Sequence, residues 1–218
     1  MTELIKKINE LIEWRKQSCK KDISEVAVFE DKKGNLQIVD ATINYDDGVM
    51  QNLELRTFNE KKQVTSSAFI MLDENSAYLS SIATFFDFRN TGIASKVLEF
   101  AEIVLAKNNV KDIVGIFAPN NPFYDAMKNK NQTNVTLNKQ ANAFYKKHNF
   151  DIITENNFMN YPRKTALMLR SNLKSDECIT GKLVYKVLNK NKTRGFTLRD
   201  GLLLDNLLIE KYSNQPEN

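Results

Sequence analysis

The residue types and spacing first point to chemistry in the segment Phe88-Arg89-Asn90-Thr91-Gly92-Ile93-Ala94-Ser95. It lies between an expected strand and the start of an expected helix. Backbone N–H groups in the first turn of a helix have no intrahelical partner and carry partial positive charge, so a tight turn there cradles a phosphate or other anion. Gly92 lets the backbone approach closely, Ala94 keeps its position small, and Arg89, Lys96 or both can add charge. Taken alone the string is short, and a plain turn before a helix explains it equally well. A second string, Asn138-x-x-Ala141-x-x-Phe144-Tyr145-Lys146-Lys147-His148-Asn149-Phe150, falls on the helix one strand later.

The elements that must position these strings follow from periodicity. Residues 3–19 carry Leu4, Ile5, Ile8, Leu11 and Ile12 on helical spacing, an amphipathic opening helix assigned here to 2–21. Val26 to Phe29 reads as a strand. Leu36 to Tyr45 and Val49 to Phe58 flank the hairpin signal Asp46-Asp47-Gly48, and Ser67 to Leu72 and Ala77 to Phe85 flank Asp73-Glu74-Asn75. The first third is therefore antiparallel sheet. Ile93, Val97, Leu98, Ala101, Val104 and Leu105 then form one stripe of a helix over about 92–107, which Asn108-Asn109 can end in a left-handed cap. Ile113 to Ala118 is a buried-strand run, and strand, helix, strand in that order predicts a right-handed crossover between parallel strands. Residues 119–137 form a long polar connection, and strands are expected at Phe150–Thr154 and Ala166–Arg170. A last helix is expected from Leu198 to Tyr212, capped by Thr197.

Composition excludes several classes. The chain has 218 residues, 42% hydrophobic and 27% charged, enough to bury a core without disulfide staples. Cys19 and Cys178 stand far apart, and with His148 the single histidine they match neither a zinc site nor a disulfide framework. No metal is expected. The net charge of +4 is spread along the chain, where nucleic-acid proteins concentrate it in a stripe, so a nucleic-acid partner is not expected. No apolar run reaches the ~18 residues of a membrane span, and the N-terminus has no signal-peptide pattern. A cytoplasmic location is the expectation.

Together the two strings resemble the GNAT-type N-acetyltransferase superfamily, whose acetyl-CoA loop reads Arg/Gln-x-x-Gly-x-Gly/Ala after a strand and whose later helix commonly reads Asn-x-x-Ala-x-x-aromatic/aliphatic-Tyr. The resemblance spans about residues 24–170. It implies an α/β fold (α+β in some schemes): a mixed, mostly antiparallel sheet splayed at the cofactor site, with helices on both faces. Residues 1–170 are then one acetyltransferase domain, and 171–218 an extension packing on or beside it, where a homodimer contact is one role.

The resemblance also implies a division of labour, with acetyl-CoA as co-substrate and an amine as acceptor. Arg89, Asn90, Thr91, Gly92, Ile93, Ala94 and Ser95 would hold the CoA pyrophosphate. Ile82, Ala83 and Thr84 would pair with the pantetheine arm in the gap between two splaying strands, one of their N–H groups polarising the thioester carbonyl. Asn138 would hydrogen-bond the pantetheine amides, and Tyr145 would protonate the departing thiolate. A phenol with a pKa of about 10 suits a thiol of about 8.5. The plainer alternative packs Tyr145 in the core with Ala141, Phe144 and His148. Direct transfer needs a base to neutralise the amine; Glu54 leads, against the plainer pairing of Glu54 with Arg56, and Asp73, Glu74 and Asp87 are weaker turn carboxylates. A competing reading is a catalytically inactive acyl-CoA-binding module that regulates a protein partner.

Overall fold

The computed structural model describes residues 2–19, 22–73, 75–117, 134–153, 182–188, 195–199 and 202–213. They fall into two compact units, Met1–Lys111 with Leu188–Asn218, and Asp112–Val187. The connection at 119–133, the expected strand 166–170 and Cys178 lie outside the described residues.

The first unit opens with helix α1 (Thr2–Ser18), followed by strands β1 (Glu25–Glu30), β2 (Leu36–Asp46), β3 (Val49–Asn59), β4 (Val64–Asp73) and β5 (Ser76–Thr84). Asp47 and Gly48 both take positive φ, 47° and 77°, and they close the β2–β3 hairpin between the paired residues Asp46 and Val49. That is the two-residue turn whose twist suits a hairpin. After β5 come a short 3-10 turn (Phe86–Phe88) and helix α2 (Ile93–Lys107), which ends with Asn109 left-handed at φ 63°. The asparagine cap stands where the sequence put it.

The end of the chain corrects the sequence reading. In place of one helix from Leu198 to Tyr212 there are two short strands, β9 (Phe196–Arg199) and β10 (Leu202–Asp205), and then a helix α4 (Asn206–Ser213). β10 pairs antiparallel with β9 and parallel with β1, through Ala27↔Leu203 and Val28↔Leu204. Three leucines in a row fit a strand buried on both faces as well as a turn of helix, and the partner strand decides between them. The cap moves too: Leu207 N–H donates to Asp205 Oδ1 at 3.3 Å, while Thr197 Oγ1 bonds Asn206 Oδ1.

Within this unit the strands run in the order β5-β4-β3-β2-β1-β10-β9, all antiparallel except β1 with β10. Helices cover both faces. On one, Ile8, Leu11 and Ile12 of α1 and Leu208 of α4 pack on Val28, Leu36 and Ile38. On the other, Phe100 of α2 meets Phe196 at 6.3 Å between centroids, and Phe196 meets Phe29 edge-on at 6.5 Å. Val28 and Phe29 are neighbours on one strand, so they point to opposite faces. β2 is accordingly buried from Leu36 through Thr42 without alternation. The structure thus has a mixed, mostly antiparallel α/β architecture.

The second unit holds β6 (Asp112–Phe117), helix α3 (Asn134–Lys147), β7 (Asp151–Ile153) and β8 (Lys182–Val187). β8 pairs antiparallel with both β6 and β7. Helix α3 starts four residues before Asn138, the first residue of the second string. Asn149, at φ 57°, turns its end, and Phe150 N–H donates back to Tyr145 O at 3.0 Å.

Candidate functional site

β5 leads the chain into the site. Phe85, extended at φ −61° and ψ 151°, donates its N–H to Thr65 O on β4 at 3.0 Å. Backbone groups alternate along a strand, so Ala83 also turns its N–H and C=O to β4, while Ile82 and Thr84 direct theirs away from it. Ser66 Oγ adds a bond to Ala83 O at 2.8 Å. Of the three residues assigned to a pantetheine arm, Ala83 thus turns its backbone groups to β4. Farther back a bulge shifts the β4–β5 register between Phe69 and Ile70, leaving Ser80 as the extra residue.

The loop from Arg89 to Gly92 is tied down at several points. Arg89 Nε donates to Thr84 O at 3.3 Å, and its guanidinium lies 5.5 Å from the Phe86 ring centroid. Thr91 is buried; its hydroxyl donates to Phe88 O, and its carbonyl accepts from Lys32 N–H at 2.9 Å. Asn90 and Gly92 both sit in the left-handed region, at φ 63° and 85°. Gly92 is the residue before the helix, and its carbonyl accepts the first helical bond, from Lys96 N–H at 3.3 Å. A left-handed residue followed by a right-handed one turns successive N–H groups into one concavity, the geometry of an anion nest. No acidic residue stands in the first turn of α2. Glycine is required there for its φ rather than for space: a Cβ on Gly92 would rest 3.4 Å from Lys32 Cγ, an ordinary contact.

The cations named from sequence are both engaged. Lys96 Nζ lies 3.1 Å from Asp205 and 3.2 Å from Glu99, and 5.3 Å from the Phe196 ring centroid. Lys96 therefore anchors α2 to β10, and Arg89 anchors the loop to β5. Ile93 is buried, while Ala94 and Ser95 are half-buried. The concavity thus rests on backbone N–H groups.

Glu54 stands on β3 opposite Thr42 on β2 and Phe69 on β4. Its carboxylate is 3.8 Å from Arg56 Nη2, so the plain pairing anticipated from sequence exists. The two side chains also line a cleft of about 190 Å³ with Ser67, Phe69 and Ser81, reached as well by Leu55 and Ala68. Ser81 immediately precedes Ile82. Glu54 therefore lies near the strand segment that leads into the loop. Asp87 is exposed in the 3-10 turn, and the side chains of Asp73 and Glu74 are outside the described residues.

Beside the cleft is a feature the sequence did not reveal. Asp40, paired with Arg56 in the β2–β3 register, is buried and holds the Arg15 guanidinium of α1 through Nε and, at 3.4 Å, Nη2. Burial pushes the Asp40 carboxyl above its ordinary value, against the opposing pull of the Arg15 hydrogen bond and charge and of Arg56. Arg15 also stacks on Phe58 at 4.6 Å. No local sequence signal links residues 25 positions apart.

In the second unit Tyr145 is 7% exposed, edge-on to Phe144 at 5.2 Å and to Phe150 at 5.4 Å. His148 is buried against Phe144 at 4.9 Å. Asn138 belongs to α3, and its side chain lies outside the described residues.

No sequence family matches the chain, and no curated protein does. Among solved structures it is similar to an acetyltransferase of the GNAT family from Staphylococcus aureus, at 15% identity over 63% of this chain and 68% of that one, with a TM-score of 0.42. It is similar also to the ribosomal-protein-S18-alanine N-acetyltransferase of Escherichia coli, at 15% identity over 64% and 70%, TM-score 0.41. A third is the spermidine N-acetyltransferase of Vibrio cholerae in complex with CoA and spermine, at 14% identity over 64% and 67%, TM-score 0.42.

Proposed function

We propose that the protein is an acetyl-CoA-dependent N-acetyltransferase that moves an acetyl group directly to an amine. The observation that carries this reading is the junction of β5 with α2. A strand end directs the backbone groups of Ile82 and Thr84 away from its neighbour, and a fixed loop follows with left-handed Asn90 and Gly92 opening a helix. A pyrophosphate suits the concavity because N–H groups held in place need no rearrangement to receive it. An extended pantetheine suits the strand end because amides can continue its pairing.

In the proposed chemistry Glu54 takes a proton from the acceptor ammonium, and the amine nitrogen attacks the thioester carbon. The N–H of Ile82 or Thr84 receives the negative charge that develops on the carbonyl oxygen. The C–S bond then breaks, the Tyr145 phenol gives its proton to the thiolate, and the second proton lost by the nitrogen restores the phenol, leaving the net proton on Glu54. Asn138 is assigned to the pantetheine amides. The roles of Tyr145 and Asn138 rest on the motif of α3.

Calorimetric titration with acetyl-CoA and free CoA tests the reading. We expect micromolar binding, about −8 kcal/mol, and a loss of at least tenfold in Gly92→Val, whose branched side chain resists positive φ. Absence of binding to the native protein overturns the assignment. Tyr145→Phe is expected to lower turnover about 10²-fold or more, in the range of a lost general acid, with little change in acetyl-CoA affinity. Unchanged turnover returns Tyr145 to a packing role.

A further inference from the structure

We propose that the cleft on the α1 side of β3, β4 and β5 takes an acceptor that carries a carboxylate beside its amine, an amino-acid-like zwitterion. The inference rests on the acetyl-transfer reading and names the substrate class of that site.

Size comes first. The cleft measures about 190 Å³ and opens to solvent. That admits a small metabolite, or one end of a larger acceptor. Charge is the second constraint. The cleft presents one carboxylate, Glu54, and one guanidinium, Arg56, 3.8 Å apart and with side chains 23% and 55% exposed. Asp40 lies across from Arg56, but it is buried and its charge is answered by Arg15. Among the described residues the walls therefore sum to nearly zero. A polyamine needs a surplus of negative charge and would bring its second cation against Arg56. A zwitterion answers both groups, with its ammonium on Glu54 and its carboxylate on the planar fork of Arg56, which receives two oxygens at once. The Glu54–Arg56 contact, 3.8 Å between partly exposed side chains, is weak in itself. Ser67 and Ser81 add hydroxyls, and Phe69 an apolar wall. With the ammonium on Glu54, the group to be deprotonated is already at the proposed base.

The test uses the full chain with saturating acetyl-CoA and follows thiol release from a panel of L-α-amino acids, the matching amino-acid amides and 1,4-diaminobutane. The expected result is a kcat/KM at least tenfold higher for an amino acid than for its amide. Arg56→Gln should raise KM for the amino acid about tenfold and erase the preference, with acetyl-CoA affinity unchanged. Amides or the diamine turned over as well as the acids, in a manner Arg56→Gln does not alter, would overturn the proposal. Should no amine release thiol, calorimetry with the same amino acids and amides decides: selective binding of the acids, lost in Arg56→Gln, supports it, and equal or absent binding overturns it. Failure to bind acetyl-CoA strikes the acetyl-transfer reading separately, since the calorimetric comparison does not require it.

Discussion

The two faces of the first unit's sheet are built from alternate residues of the same strands and behave oppositely. On β3, Leu53, Leu55 and Thr57 point toward α2 and are fully buried. The residues between them, Glu54 and Arg56, point to the α1 side and reach solvent in a cleft. The α2 face is dominated by aromatic and aliphatic packing around Phe29, Phe100 and Phe196. The α1 face is apolar only where α1 and α4 lie on it; next to that cover it carries the row Arg15, Asp40, Arg56 and Glu54, alternating in sign. One face chiefly holds the strands in register, and the other leaves charge open to solvent. The lesson is that one residue's shift along β3 changes which job a substitution disturbs.

The strongest way to break this contrast is to remove a charge from the buried end of the row. Asp40→Ala leaves the Arg15 guanidinium buried and without its carboxylate, and an expected loss of about 3–5 kcal/mol follows. Urea unfolding measures it. A loss below about 1 kcal/mol would show that water reaches Arg15, and the distinction between the buried and open ends of the row would fail.

Next in size is the contrast between neighbours. Leu55→Ala opens a cavity on the α2 face and is expected to lower stability by about 2–5 kcal/mol. Arg56→Ala, one residue along, should stay within about 0.5 kcal/mol, because its partner Glu54 is left near water. Comparable losses for the two would mean that the cleft face is packed as tightly as the core.

Which parts of this were legible follows from the range of the interaction. The hairpin turn at Asp47-Gly48, the left-handed Gly92 and the cap at Asn149 are set by a residue's own backbone preference, so the sequence shows them directly. The fate of Leu202–Leu204 depends on β1, more than 170 positions earlier in the chain, and the apolar run alone misled. Glu54 and Arg56 are visibly on one face of a strand by their spacing. That this face stays open depends on where α1 lies, and no periodicity within β3 encodes it. Asp40 is harder still, because a lone aspartate in a strand pattern reads as an exposed residue until Arg15 is seen beside it. The orientation of Ala83 was hidden for a different reason: the motif marks the strand, whereas the hydrogen bond of Phe85 sets which of its residues turn toward β4.

The smallest effect expected sharpens the comparison from the same buried pair. Burial holds the Asp40 carboxyl above the value of 3.8 that it has when exposed. The folded chain therefore keeps that proton to higher pH than the unfolded chain does. Stability follows the difference in protons bound, so the contribution of Asp40 is fully present below 3.8 and falls as pH rises through the folded value. Carboxylates held in their charged form by partners act in the opposite direction, which is why the total curve hides this one. Comparing native protein with Asp40→Asn isolates it: the asparagine leaves Arg15 buried at every pH, a constant offset, and removes only the titration. The stability difference, native minus variant, should shrink as pH rises from below 3.8 through the folded value. A difference that grows over that range would mean that Arg15 outweighs burial at Asp40, and the row would then be an ion pair held charged throughout.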